Sequence, residues 1–567
     1  MFNISQYRMN ICGIMMIFLI CVNFTASAAS PSDAGKPDAG KIANSVEEKR
    51  LIPPEKTTRN IEIGSQKPET VVVTNEQKIK VERIHITGQN IYSEKTLALL
   101  CKDKLGQELT FTEVEELARR VTKYFHDRGY IVANAFIPTQ DIKEGVVEIA
   151  VVVGKYGKID IYNHSQLSTK RISSLLKGIK PGKYIRQDKL ERTLLLLNDT
   201  SGVRVKGTLV KGKESGTSDL IIDASDTTRL TGQLSVDNYG NHFTGQTRKN
   251  LNVVIHNPSG IGDEAILGGT YTGSGMNNGN LSYQFPVGSQ GAQVGASYSR
   301  THYLLGGTYA SLNANGVAKM TSFFATYPLV RSYDYNLYGR IGFDGKRLED
   351  RQDSVAVPSV SKKRANLWSL GINGDKRDSK GDGSTSFALS YYTGHLGIDS
   401  QDAYITDQST SHTSGSYNKT TLSLSRVKML NQRLSYYLFF TGQLASKNLD
   451  SSEKLSLGGA NGIRAYPQGE ASGDAGYILT GELRWNMPTP KFQLAVFVDN
   501  GRVTLNKNPW DASINKRILT GAGIGLIWNK PNDYSVRLDY ARKVTSDPAN
   551  SDTDKRGRFW LQCIKRF

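Results

Sequence analysis

A mainly β protein is predicted by this sequence: a transmembrane antiparallel β-barrel preceded by two small α+β domains. Three observations carry the prediction. The chain opens with an export signal, a β-α-α-β-β order occurs twice in succession, and alternation of apolar and polar residues then runs to the C-terminus. With 567 residues the chain exceeds one compact domain. Hydrophobic residues make up only 38%, while 55 Gly and 27 Tyr suit many strands joined by turns better than a helical enzyme. The formal charge of +18 fits either a polyanion partner or a basic lumen and rim. Export argues for the second and excludes nucleic acid.

The export signal is read from residues 1–28. An apolar run at 11–22 is preceded by Arg8 and followed by Ala26-Ser27-Ala28, so the mature chain is expected to begin near Ala29. Lipidation at Cys21 is disfavoured because Ile20 stands where such signals want a small residue. Cleavage leaves Cys101 and Cys563, too far apart in the chain's organisation for a structural disulfide to be expected. Residues 29–77 are rich in Ser, Pro, Lys, Asp and Glu and read as an N-terminal segment and linker, with residues 39–51 as its one short candidate helix.

The first α+β domain is placed at 78–153. Val81, Ile84 and Ile86 mark a strand, Ser93 caps a short helix, and Thr112 with Glu115 forms a capping box for a second. That helix aligns Val114, Leu117, Ala118, Val121 and Phe125 on one face and stops at Gly129; strands follow at 130–137 and 146–153. The same order recurs at 154–226, a tandem repeat. Each copy has an outer strand edge that either accepts an added strand from an unfolded client or is covered by its neighbours.

From 227 to 567 alternation takes over. Tyr477, Leu479, Leu483, Trp485 and Met487 alternate with Thr480, Glu482, Arg484 and Asn486, and Val536, Leu538 and Tyr540 with Arg537 and Asp539. Alternation alone also fits a soluble sandwich. The signal peptide, the aromatic-rich faces and Gly- or Asn-rich connections such as 273–279 favour a barrel with a wet lumen, closed so that no strand edge meets lipid. The segment ending at Phe567 puts Phe559, Leu561, Cys563 and Phe567 on one face and is the strand expected to close the barrel.

Two segments carry a family resemblance. Leu457-Gly458-Gly459-Ala460-Asn461-Gly462-Ile463-Arg464-Ala465-Tyr466-Pro467, followed by Gly469-Glu470-Ala471-Ser472-Gly473-Asp474, resembles the signature loop of two-partner secretion outer-membrane transporters, the haemolysin secretion/activation type. Gly129-Tyr130 and the stretch Pro138-Thr139-Gln140 to Gly145 resemble the end of that family's first POTRA domain. The resemblance implies a barrel of about sixteen strands, for which roughly 340 residues suffice. It implies that the loop around 457–474 folds into the lumen, that Arg464 pairs there with Asp499 of the motif Phe497-Val498-Asp499-Asn500-Gly501, and that a helix at 39–51 plugs the pore. Ala465 stands where the family has glycine. Strand parity independently puts Asp499 on the lumen side, opposite Val496 and Val498. Phe567 resembles the terminal aromatic by which outer-membrane proteins are recognised for assembly.

The function so implied is transport. The POTRA domains, in the periplasm, would recognise a large unfolded exoprotein, and the barrel would pass it through the cell outer membrane without ATP. Outer-membrane lipid and lipopolysaccharide would surround the barrel, and the barrel assembly machinery would insert it. An outer-membrane protein insertase and a passive porin are the alternatives. No enzyme, cofactor or metal site is expected: there is no His-Glu-x-x-His, no Gly-x-Ser-x-Gly, and Gly521-Ala522-Gly523-Ile524-Gly525 lies in an alternating strand, where close strand packing accounts for glycine.

Overall fold

The computed structural model describes residues 37–47, 61–63, 78–273, 275–354, 359–488 and 492–567. The expected signal peptide and most of the expected linker lie outside them. The first α+β unit builds a parallel pair, Arg83–Thr87 with Val146–Val153, and adds Ala133–Phe136 antiparallel on the far side of the latter. Helix Phe111–Asp127 buries Val114, Leu117, Ala118, Val121 and Phe125 on this sheet. Its capping box is formed by Thr110 and Glu113, two residues earlier than the sequence suggested. The short strand Gln107–Leu109, paired with Ile79–Val81, ends at Leu109 and leaves Thr110 as the first residue free to cap. Ser93 does cap its short helix, accepting from the Thr96 N–H. Cys101 is buried in this core, and burial pushes its thiol up to about 11.

The second unit repeats the plan with Lys155–His164, helices Thr169–Leu175 and Gln187–Asn198, and strands Val203–Lys211 and Thr217–Asp226. Its sheet holds a fourth strand. Ile61–Ile63, from the segment read as linker, pairs in parallel with Gly207–Leu209 and occupies the outer edge. The two units meet where Gly129 ends the first long helix at φ +88°, a conformation that favours glycine. The Gly129 carbonyl accepts from the Gln187 N–H at 2.8 Å, and Tyr130 packs edge-on to both Phe125 and Tyr184 beneath the Arg186 guanidinium. Among the other residues singled out here, the Gln140 amide makes a two-way pair with the backbone of Glu148 at 2.7 and 2.8 Å. Gly145, at φ +69°, lies where a Cβ would meet the Lys80 carbonyl. Pro138 lies beside Gln140, its carbonyl within reach of the Gln140 amide.

Sixteen antiparallel strands, from Leu230–Asp237 to Gly557–Arg566, close the barrel. Apolar residues of the alternating pattern face outward: Leu281, Tyr298, Phe323, Ile341, Trp368, Leu370 and Val496 are exposed, whereas Phe497 and Asp499 are buried inside. Residues 276–279, read as a connection, instead open the strand Met276–Val287, because the Asn278 amide finds Ser299 and Thr301 on the next strand. The seam is short. The first strand pairs with the last only over Gln233–Asp237, where the other neighbouring strands make longer ladders. Phe567 finishes it, exchanging backbone hydrogen bonds with Gly232 at 2.9 and 3.0 Å and laying its ring where a Cβ of residue 232 would be. Second-unit residues dock on the barrel's near turns through a forked Asp199–Arg331 ion pair and through Glu191, which accepts from the Tyr333 N–H.

Candidate functional site

The connection between strands Leu434–Ala445 and Ala475–Asn486 leaves the rim and folds into the lumen. A two-residue ladder, Leu455–Ser456 with Ser472–Gly473, holds its limbs together. Above that ladder the chain turns tightly. The Ile463 N–H donates to the Leu457 carbonyl at 2.7 Å, and Gly462 sits where a Cβ would lie 1.9 Å from the same oxygen. Asp474 anchors the base, accepting from the backbone N–H groups of Leu449 and Lys507 at 3.0 and 2.7 Å, with Lys454 at 3.3 Å.

This fold delivers Arg464 to the wall with no exposed surface. Its Nε and Nη2 donate to the two oxygens of Asp499, each at 2.8 Å, and its backbone N–H donates to the same carboxylate at 3.2 Å. Nη1 reaches Glu482 at 2.8 Å and Asp539 at 3.2 Å. The face of the guanidinium lies 3.2 Å from the centroid of Phe497. Arg484 and Arg537 close the network from the wall side, both on Glu482 and the latter also on Asp539. Thr480 donates to Asp499 at 2.9 Å. A buried charge is tolerable only when paired and hydrogen-bonded. Here three guanidiniums meet three carboxylates in a forked, directional geometry.

The wall is shaped to receive the loop. Gly501 lies where a Cβ would stand 3.0 Å from Leu457 and 3.1 Å from Ile463, and Gly521 where it would stand 2.5 Å from the Ala465 methyl. Gly523 makes room for the Phe497 ring and Gly525 for Asp539. Of the alternate glycines, Gly521 thus seats the loop tip itself, while Gly523 and Gly525 pack against neighbouring strands, as read from sequence, and leave room for the wall side chains that hold Arg464. Tyr466 is fully buried, its hydroxyl shared with Thr545 and the Asp547 carbonyl and its ring 4.6 Å below Lys543.

A second body shares the lumen. Helix Ala39–Glu47 buries Ala39 and Ile42 against Met276, Tyr303, Leu305 and Leu348 of the wall. Asp350, itself bonded by the Tyr303 hydroxyl, accepts from the Ala39 N–H at 2.7 Å. The helix also touches the inserted loop directly. Asp38 accepts from the Ser451 hydroxyl at 2.7 Å, the Asn44 amide donates to the Ser451 carbonyl at 3.1 Å, and Gly40 abuts Ser452. That stretch of loop is pinned to the wall by Lys363 on Asp450 and by Lys346 and Lys419 on Glu453.

Of the residues singled out from sequence, the structure brings together Gly462, Ile463, Arg464, Tyr466, Phe497, Asp499 and Gly501, with Gly473 and Asp474 at the loop base. Gly129, Tyr130, Pro138, Gln140 and Gly145 belong to the first α+β unit, and Phe567 to the seam. Glu482 and Asp539 were missed as partners of Arg464, although both stood on the polar parity of alternating strands. The lysine cluster around Asp450 and Glu453 left no sequence signal, since its members come from separate strands.

A family model described as haemolysin secretion/activation protein ShlB/FhaC/HecB matches residues 216–527, and one for the ShlB-type POTRA domain matches residues 79–154. The heme/hemopexin transporter protein HuxB of Haemophilus influenzae strain 86-028NP is 28% identical over 94% of this chain and 95% of its own. The outer membrane transporter CdiB of Dickeya dadantii is 24% identical over 71% of this chain and 72% of its own. Among solved structures, CdiB from Escherichia coli aligns with a TM-score of 0.68 at 20% identity, covering 88% of this chain and 92% of that one. BamA from Haemophilus ducreyi, lacking POTRA domains 1–3, aligns at 0.53 and 17%, covering 86% and 100%. At such identities the structures are alike in fold.

Proposed function

Because this chain belongs to the haemolysin secretion/activation protein family, the outer-membrane transporters of two-partner secretion, we propose that it captures its large exoprotein by strand addition and moves it through the barrel once loop and helix yield. The barrel lies in the outer membrane with the two α+β units in the periplasm. One observation supports the capture step above others: the edge Val203–Lys211 takes Ile61–Ile63 as an added strand. A client segment would replace a tenant already bound the same way. The lumen holds both the helix and the loop tip, so the route opens by displacement, without nucleotide or catalysis. Given the relation to a heme/hemopexin transporter protein, a client that handles haem or hemopexin is the first to test. Lipid and lipopolysaccharide would contact the outward apolar belt, and the assembly machinery would read the strand ending at Phe567.

An insertase shares this barrel, as the likeness to BamA illustrates, but its clients would be many barrel proteins. A porin leaves the paired α+β units without a task. Proteomics of medium, surface-shaved material and outer membrane separates the three in a deletion strain complemented with wild type or Arg464→Ala. Loss of one large surface or secreted protein, restored by wild type alone, supports export. A general fall of barrel proteins favours an insertase, and no change favours a channel.

A further inference from the structure

The outer wall carries a row of cations facing lipid. On four consecutive strands, Arg300 is paired in register with Lys319, Lys319 with Arg347, and Arg347 with Arg364. All four are exposed and share the parity of the outward residues Tyr298, Phe323, Ile341 and Trp368. Like charges placed directly opposite across strands repel one another. Arg364 is relieved by Asp399 at 2.8 Å, and the neighbouring outward carboxylates Glu349 and Asp353 serve Arg351 and Lys362. For Arg300, Lys319 and Arg347 no carboxylate is within ion-pair distance among the described residues. A row of unneutralised cations on consecutive strands calls for an anion from outside.

Position tells which anion. These strand ends lie away from the α+β units, whose contacts are with the opposite turns at Gly288 and Arg331, so the row faces the outer leaflet. Two steps down the strands of Lys319, Arg347 and Arg364 comes a small or polar row, Thr321, Gly345 and Asn366, which Tyr298 flanks on the Arg300 strand, and two further the rings of Phe323, Phe343 and Trp368, the last two 5.0 Å apart. Aromatic girdle, neutral step and cations follow the order of acyl chain, sugar and phosphate in a glycolipid seen from the membrane interior. Arg300 and Arg347, the ends of the unneutralised part of the row, stand two strand spacings apart, roughly 10 Å, on the scale of a disaccharide.

We infer that this face is a binding site for the phosphates of lipid A, the diphosphorylated disaccharide lipid of the outer leaflet, with Arg300, Lys319 and Arg347 as its anion-binding groups. The inference rests on the outer-membrane placement and gives the lipid contact proposed above its residues. Arginine takes phosphate oxygens two at a time and lysine as a point charge, so the row can engage both ends of one headgroup.

Delipidated full-length protein in detergent, examined by native mass spectrometry, tests this with bis-phosphorylated lipid A, monophosphoryl lipid A and phosphatidylglycerol as probes. Wild type should hold the bis-phosphorylated lipid about tenfold more tightly than R300Q/K319Q/R347Q, with the monophosphoryl form between. Equal retention by the variant, or no preference over phosphatidylglycerol, overturns the site. Heat-modifiable gel migration reports whether the variant's barrel has closed. If it has not, the single variants R300Q and R347Q take its place, each expected to lose part of the affinity, and undiminished binding by both overturns the site equally. Client export is read in parallel. Loss of lipid A with export intact leaves the transport reading standing, while lipid binding by a wild type that exports nothing sinks that reading alone.

Discussion

The indole N–H of Trp560, on the strand that closes the barrel, donates to the backbone carbonyl of Arg464 at 2.6 Å. The loop tip is therefore fastened on two sides. Its side chain holds strands Ala475–Asn486, Phe492–Thr504 and Tyr534–Lys543, and its backbone holds the last strand beside the seam.

Arg464→Ala should undock the loop. The change strips the shared cation from Asp499, Glu482 and Asp539, and breaking a buried pair in this way typically costs about 3–5 kcal/mol. A cysteine placed near the loop tip should become reactive to a water-soluble maleimide, and client in the medium should fall by at least about tenfold, with the barrel still heat-modifiable. Undiminished export from a folded barrel would count against the loop's role.

The fit of Ala465 on Gly521 is testable by a cycle of substitutions. Gly521→Ala forces two methyl groups together and should destabilise docking by about 1–3 kcal/mol. Combining it with Ala465→Gly should restore docking, because the methyl has only changed sides; additive losses in thermal melting and export would show that the two do not couple.

Replacing Ile61–Ile63 by Gly-Ser-Gly should empty the edge of Val203–Lys211. Giving up one or two net backbone hydrogen bonds, about 0.5–1.5 kcal/mol each, removes competition worth roughly tenfold in apparent affinity. Fluorescence anisotropy with a labelled client peptide reads the change, and unchanged affinity would mean the client binds elsewhere.

Gly40→Leu should expel the helix Ala39–Glu47, since a Cβ at residue 40 would lie 2.5 Å from the Ser451 hydroxyl and 2.6 Å from the Ser452 nitrogen. Conductance in planar bilayers should then rise toward that of a chain lacking residues 29–77. A variant as quiet as wild type would show that the loop alone seals the lumen.

What the sequence revealed follows the range of the interactions. Alternation is a local signal, so strands and their lumen faces were readable, including the side occupied by Asp499. The capping box was placed two residues late because Thr110-x-x-Glu113 and Thr112-x-x-Glu115 satisfy the same pattern, and only the pairing of Leu109 with Ile79 decides between them. The convergence of Glu482 and Asp539 on Arg464 depends on the register of neighbouring strands and on where the inserted loop lays its tip across them, which no local period encodes. Ile61–Ile63 is too short to stand out as a strand and acquires that character only from its partner. The helix at Ala39–Glu47 is only nine residues long, and its seat is set by Ile42 packing against residues drawn from several strands rather than by its own sequence.

The ion network also prescribes what remains when the loop withdraws. The wall would retain Asp499, Glu482 and Asp539 against Arg484 and Arg537 alone, three anions facing two cations. An empty dock is therefore one positive charge short. That deficit would act as a spring drawing Arg464 home after each passage, and as a resting place for any basic side chain of the polypeptide in transit.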